Sequence, residues 1–317
     1  MACQDICFLW YTFTQVNGIS SAVNNFFDSN NAWTVSLFGR TYSWTVVISC
    51  LILTFCVALV LIGGIQRISK VAQVIVPFMA ATYFLAGILI ILFNITDVPA
   101  AILTIVQSAF GLKAAAGGAL GAMVVAMQKG IARGIFSNEA GLGSAPIAAA
   151  AARTNEPVRQ GLVSMTATFI DTIIICSITG IAIVLTGAYD MGLEGVAVTT
   201  KAFQLGLPFP DGVASFILML CLVFFAFTTI LGWDYYSERC LEYLTNGKKK
   251  CIKAYRWVYI LCVFIGPYMT VSAVWTIADI FNGLMAIPNL IALVALSGVV
   301  AKETKDYLDR IKKKEID

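Results

Sequence analysis

Four carboxylates stand in stretches otherwise apolar enough to lie in lipid: Glu139 in GIARGIFSNEAGLGSAP, Asp171 in FIDT, Asp234 after Gly232-Trp233, and Asp279 in WTIADIFNG. An ionised carboxylate at membrane depth is costly, so each is either a functional group with a partner or a residue at a helix end or interface. Capping or an interfacial place is the plain alternative for Asp234 and Asp279. Asp279 stands beside an expected span boundary, where it could N-cap the last helix. Glu139 differs, because it follows Asn138 within Gly130–Pro146, which carries four glycines in what would otherwise be one long apolar helix. Glycine weakens a helix by about 1 kcal/mol against alanine. Free backbone groups at membrane depth are tolerated only where protein or a water-filled cavity satisfies them. A discontinuous helix of this kind offers half-helix ends and bare backbone to a small charged ligand and its coupling ion. Glu139 therefore reads as a residue that organises a site.

The uncharged candidates are amides, hydroxyls and one indole. Gln15 and Asn17 bring donors and acceptors into the first apolar stretch, as ligands for a zwitterion or as contacts between helices. Thr228 and Thr229, in FFAFTTILGW, either bond their own i−4 carbonyls or offer hydroxyls to Na⁺, since hard cations prefer oxygen. Trp233 lies four residues after Thr229 and so on the same helical face, where it either closes a small pocket or belongs to an interfacial aromatic belt.

The elements that must position these residues are membrane helices. Of 317 residues, 59% are hydrophobic and 12% charged, against roughly 25% charge in soluble domains, and the mean hydropathy is +0.84. Histidine is absent, which removes His-ligated metal and His-based acid–base catalysis. The nine cysteines form no C-x-x-C pair and read as buried hydrophobes rather than disulfides or metal ligands. With no nucleophile set, nucleotide loop or metal cluster, the chain reads as neither an enzyme nor a nucleic-acid binder, and no cofactor is implied. Spans of the roughly 20 residues that cross a bilayer are expected at about 5–27, 44–64, 72–94, 160–186, 211–244, 256–277 and 279–300. An eighth, broken span lies within 117–152, and residues 99–112 are re-entrant or interfacial. The expected fold class is thus all-α integral membrane, with about eight transmembrane helices in a domain over 1–302 and a charged tail over 303–317. Alternating the eight spans gathers 16 of the 21 Lys and Arg on one side, among them Arg67, Arg153, Lys248–Lys250, Arg256 and Lys312–Lys314. By the positive-inside rule that side is cytoplasmic. Both termini then lie inside, and the loop over 187–210 lies outside.

GIARGIFSNEAGLGSAPIAAAAA closely resembles the signature of the alanine or glycine:cation symporter family, the sodium:alanine symporters. FIDTIIICSITG, FFAFTTILGWDYYSE, ADIFNGLMAIPNLIAL and GGIQRISKVAQVIVPFMA resemble further segments of that family. The resemblance implies a LeuT-like inverted-repeat transporter with one discontinuous helix, moving alanine or glycine with Na⁺ as coupling ion across the plasma membrane. Carried over residue by residue, it makes Gln15, Phe136, Ser137, Asn138, Gly141 and Trp233 substrate-binding. It makes Thr228 and Thr229 Na⁺ ligands; Glu139 and Asn17 are read from their own positions as organising the site. No counterpart is found for the family's first three spans. The expectation is a partial fold lacking that N-terminal segment and inactive alone, the alternative being a non-transporting remnant or membrane scaffold.

Overall fold

The computed structural model describes residues 2–37, 39–110, 118–139 and 141–313, with side chains from Tyr11 onward except those of Leu37 and Ala119. Lys113 and Lys314, both used in the charge count, lie outside the described residues.

Twelve helices in chain order carry the described fold: α1 (Ala2–Phe27), α2 (Trp44–Ile62), α3 (Gly64–Phe93), α4 (Val98–Ala109), α5 (Ala119–Asn138), α6 (Ala145–Ala149), α7 (Pro157–Thr168), α8 (Cys176–Leu185), α9 (Val196–Gly206), α10 (Asp211–Leu244), α11 (Lys249–Ile265) and α12 (Val271–Lys312). A π-helical segment, Phe169–Ile175, joins α7 to α8 without a break. The all-α expectation needs one amendment. Strands β1 (Thr34–Leu37) and β2 (Arg40–Ser43) form an antiparallel hairpin between α1 and α2, with Leu37 opposite Arg40. Asp28 ties the hairpin to the end of α1 by accepting from Ser43 Oγ at 2.6 Å and from the Ala32 amide at 2.7 Å. Those bonds, the Ser43 one foremost, hold its carboxyl below the usual aspartate value.

Five helical stretches are long and apolar enough to cross a membrane among the described residues: Trp44–Ile62, Gly64–Phe93, Pro157–Leu185, Asp211–Leu244 and Val271–Lys312. They also carry exposed large apolar side chains, such as Phe55 and Ile62 on α2 and Ile291 and Val294 on α12. Three other expected spans fold as helices but fall outside that set. α11 has 17 residues and opens on Lys249, Lys250 and Lys253, and α5 carries Lys129 and Arg133. α1 is 26 residues long but includes Gln15, Asn17, Ser20, Ser21, Asn24 and Asn25. Its polarity follows from its place: α1 packs most extensively on α10, then on α12 and α2. Val16 and Ile19 of α1 join Leu53, Val57, Ile230, Leu231 and Tyr259 in the largest buried cluster.

Two boundaries differ from expectation. The last two spans were expected to part near residue 278, but the chain turns at Gly266–Tyr268 and α12 then runs unbroken from Val271 to Lys312. Pro267 lacks the N–H to continue α11, and Gly266 sits against Phe13 and Val16, where a Cβ would come within 3.1 Å of Phe13. The Thr270 hydroxyl accepts from the Ala273 amide and caps α12, so the cap is Thr270 and Asp279 stands inside the helix. Pro288 is also internal to α12, and residues 303–312 of the expected tail extend it. The loop expected over 187–210 contains α9.

Candidate functional site: the break after Asn138

The break forms where the sequence places it. α5 ends at Asn138, and Glu139 takes a left-handed conformation, φ 55° and ψ 12°, while its amide donates to the Ile135 carbonyl at 3.0 Å. Few non-glycine residues adopt that region, and such outliers gather at functional sites. Gly141 and Gly143 follow with φ of +83° and +80°, which L side chains resist. A Cβ on Gly143 would also stand 3.1 Å from Asn289 Oδ1 of α12. The chain resumes helix at Ala145 after donating Ser144 Oγ to Glu139 Oε2 at 2.6 Å. Glu139 is thereby fixed by its own loop.

A cavity of about 350 Å³ opens beside the break, lined by Ser137, Asn138, Glu139, Gln160, Ser164, Asp171 and Tyr236 among others. Asp171 belongs to the π-helical segment and accepts from Ser137 Oγ at 2.5 Å, while Asn138 Nδ2 donates to Thr172 Oγ1 at 3.2 Å. π-Helical turns recur at functional sites because the wider turn re-aims side chains. Two carboxylates line this cavity and no Lys or Arg among the described residues does. An ammonium group or a monovalent cation suits such a lining, and an anion does not.

On the other side of the break lies an aromatic column. The Tyr11 ring is held between Phe136, at 4.6 Å and 12° between planes, and Trp233, at 4.0 Å and 14°. Phe136 continues to Trp275 at 5.0 Å. Arg133 caps the column with its guanidinium 4.1 Å above the Trp275 ring and Nη2 2.9 Å from Asp279 Oδ2. Asp279, expected as a helix cap, thus pairs with a cation of α5. Leu142, fully buried, seats the break against Tyr11, Trp233 and Met285. Trp233 and Phe136 therefore meet through Tyr11, a residue that the sequence does not single out. Ser137, Asn138 and Glu139 face the cavity.

The remaining candidates are placed differently. Gln15 is half-buried on α1, one turn after Tyr11. Asn17 Nδ2 donates to the Met269 carbonyl at 2.9 Å, tying α1 to the turn before α12, and so acts as a contact between elements. The Thr228 and Thr229 hydroxyls donate to the carbonyls of Phe224 and Phe225, four residues back, at 3.0 and 2.9 Å. That arrangement spends the donor of each hydroxyl and leaves lone pairs, which are what a cation takes. A larger cavity of about 790 Å³, lined by Ile19, Leu53, Phe224 and Phe227 with Asp28 and Trp33, lies away from the break and is mainly apolar.

The broken helix, its cation-suited cavity and the aromatic column all belong to a chain whose relatives are transporters. A family model described as "Sodium:alanine symporter family" matches residues 3–317. An uncharacterized transporter of Haemophilus influenzae is 51% identical over 303 residues, covering 95% of this chain and 62% of its own length. The sodium/alanine symporter AgcS of Methanococcus maripaludis is 46% identical over 273 residues, 85% of this chain and 58% of AgcS. The probable sodium/glutamine symporter GlnT of Bacillus subtilis is 40% identical over 283 residues, 89% of this chain and 58% of GlnT. The chain thus spans about three-fifths of the length of these curated relatives. It is an integral membrane protein, and with a match that runs over nearly every residue it belongs to the sodium:alanine symporter family, a family of transporters and not of enzymes.

Proposed function

We propose that this chain serves the Na⁺-coupled symport of a small neutral amino acid, alanine or glycine, across the plasma membrane. The observation that carries the reading is the break itself: Glu139, Gly141 and Gly143 in left-handed conformations, with a carboxylate-lined cavity on one side and the Phe136–Tyr11–Trp233 stack on the other. Ser137, Asn138 and Gly141 would present backbone and short polar groups to the charged ends of the amino acid. Phe136 and Trp233 would bound its side chain, and Gln15 would reach it from α1. Thr228 and Thr229 would coordinate Na⁺ with the lone pairs their back-bonds leave free. Glu139, through Ser144, and Asn17, through Met269, would hold the break and α1 in place. The names of relatives support both cargo and ion, since AgcS and GlnT are called sodium symporters of alanine and of glutamine. The finer architecture we propose is eight crossings in a LeuT-like inverted-repeat arrangement, both termini cytoplasmic and 303–317 a cytoplasmic extension.

The test is binding and uptake together. Purified protein in lipid should show a saturable change in tryptophan fluorescence on adding alanine, present in Na⁺ and lost when choline replaces it. Trp233→Phe should abolish most of that signal, and robust Na⁺-driven alanine uptake into proteoliposomes by these 317 residues would overturn the expectation that they are inactive alone. Alanine binding indifferent to Na⁺, or a signal untouched in Trp233→Phe, sinks the reading.

A further inference from the structure

A polar cluster beyond Trp233 on α10 takes no part in the site above. Asp234 is 1% exposed and Glu238, one turn on, is 5% exposed; at i and i+4 they share a face. Arg256 of α11 holds Glu238 in a two-pronged grip, through Nε to Oε1 and through Nη2 to Oε2 at 2.9 Å. Asp234 is left over, its Oδ1 fully buried and without a hydrogen-bond partner. The remaining titratable group facing it among the described residues is Tyr259 of α11. Its hydroxyl is committed, donating to the Ile230 carbonyl at 2.6 Å and accepting from Thr12 of α1 at 2.6 Å. Glu238, Arg256 and Tyr259 are therefore the groups that set the charge here, and α1 adds the Thr12 hydroxyl.

Two buried carboxylates against one guanidinium leave one negative charge uncompensated. A buried carboxylate in that position takes up a proton instead of holding its charge in a low dielectric. Na⁺ would need several oxygen ligands, yet Asp234 lines neither the cavity at the break nor the larger apolar one. A proton needs no cavity.

We propose that Asp234 is a proton-binding site, filled in the state seen here, and that Arg256 controls it. While Arg256 holds Glu238, Asp234 is the neutral acid. A shift of α11 that brings the guanidinium to Asp234 makes it a carboxylate and releases the proton. The purpose of the site, a second coupled cation beside the substrate path, rests on the symport reading; its existence does not.

Infrared spectroscopy of the purified full chain in lipid at neutral pH reads the site through the C=O stretch of a protonated carboxyl. Expected is a band lost in Asp234→Asn and kept in Glu139→Gln. The same band should vanish in Glu238→Gln, which frees Arg256 to pair with Asp234. A wild-type spectrum with no protonated-carboxyl band overturns the proposal without recourse to any variant, so a variant that fails to fold does not shelter it. A band that survives Asp234→Asn overturns it equally, and one that survives Glu238→Gln overturns the role given to Arg256. Because no transport is measured, a failed uptake assay and a failed infrared assay refute different statements.

Discussion

Tyr11 joins three elements with one ring: its own α1, α5 through Phe136 and α10 through Trp233. Stacked pairs contribute about 0.5–1.5 kcal/mol each beyond the area they bury. Tyr11→Leu, which keeps an apolar side chain and removes both stacks, should therefore cost about 1–3 kcal/mol, read as a lower melting temperature in detergent. An unchanged melt would make the stacking incidental. In the proposed transporter, Thr229→Val should mainly raise the Na⁺ concentration needed for half-maximal uptake. Trp233→Ala should broaden substrate choice toward leucine, because losing indole volume admits larger side chains. Na⁺ dependence unaltered in Thr229→Val, with normal protein levels, would reduce that hydroxyl to its bond with Phe225. At this scale the polar and break residues were legible from sequence, since amides, acids and glycines stand out against an apolar background. Tyr11 was not: an aromatic in an apolar run gives no sign of its partners, and only the packing of α1 against both α5 and α10 brings them together. Arg133–Asp279 and Arg256–Glu238 escaped for the same reason, being contacts between distant stretches that no spacing encodes.

Elements were legible where the chain marks its own ends. α10 occupies Asp211–Leu244 and α2 begins at Trp44, as hydropathy and turn residues indicate. The error at residues 277–279 came from reading Asp279 as a cap, when Gly266-Pro267 and Thr270 already supplied a stop and a start. α9 went unseen because eleven residues between Gly195 and Leu207 are too few to signal a membrane helix. The break invites a glycine comparison. Gly143→Ala forces a Cβ into a left-handed backbone and toward Asn289, at about 1–2 kcal/mol for the backbone alone. Gly161→Ala, in α7 with open space around it, should stabilise by up to about 1 kcal/mol. Thermal melts that rank the two variants the other way would show that the break is not held in this conformation. A second pair of elements is fastened by Glu156, just before α7, which accepts both prongs of Arg310 on α12 at 2.9 and 2.7 Å. That guanidinium holds the Glu156 carboxyl below its usual value. A depressed carboxylate stabilises fully above its unfolded value, near 4.3, and loses that contribution as pH falls through the lower folded value. The stability gap between wild type and Arg310→Gln should accordingly be open at neutral pH and close in acid. A gap that persists in acid would assign it to packing of the Arg310 stem.

For the whole molecule the testable statement is sidedness. The basic residues bunch after α2, after α6, between α10 and α11 and at the end of α12, which predicts that Asn246 faces the cytoplasm and Glu194 the outside. Cysteines placed there in intact cells should be unreactive at 246 and reactive at 194 toward an impermeant maleimide, and the reverse pattern would invert the orientation. Hydropathy leads to eight expected spans, while five helices among the described residues are long and apolar enough to cross a membrane; α1, which packs against α10, α12 and α2, is too polar to join them. α12 carries one more consequence. At 1.5 Å per residue its 42 residues reach about 63 Å, and it is gripped at Asp279 by α5 and at Arg310 by the start of α7. Pro288 lies between those grips with no amide to complete the ladder, a place where a rod can flex. A bend of about 5° there would swing Arg310, about 33 Å farther along, through roughly 3 Å, enough to pull a bidentate ion pair apart. α12 is thus built as a lever whose fulcrum, Pro288, lies beside the break, where Gly143 meets Asn289: a small bend there would be delivered, magnified, to the latch at Arg310.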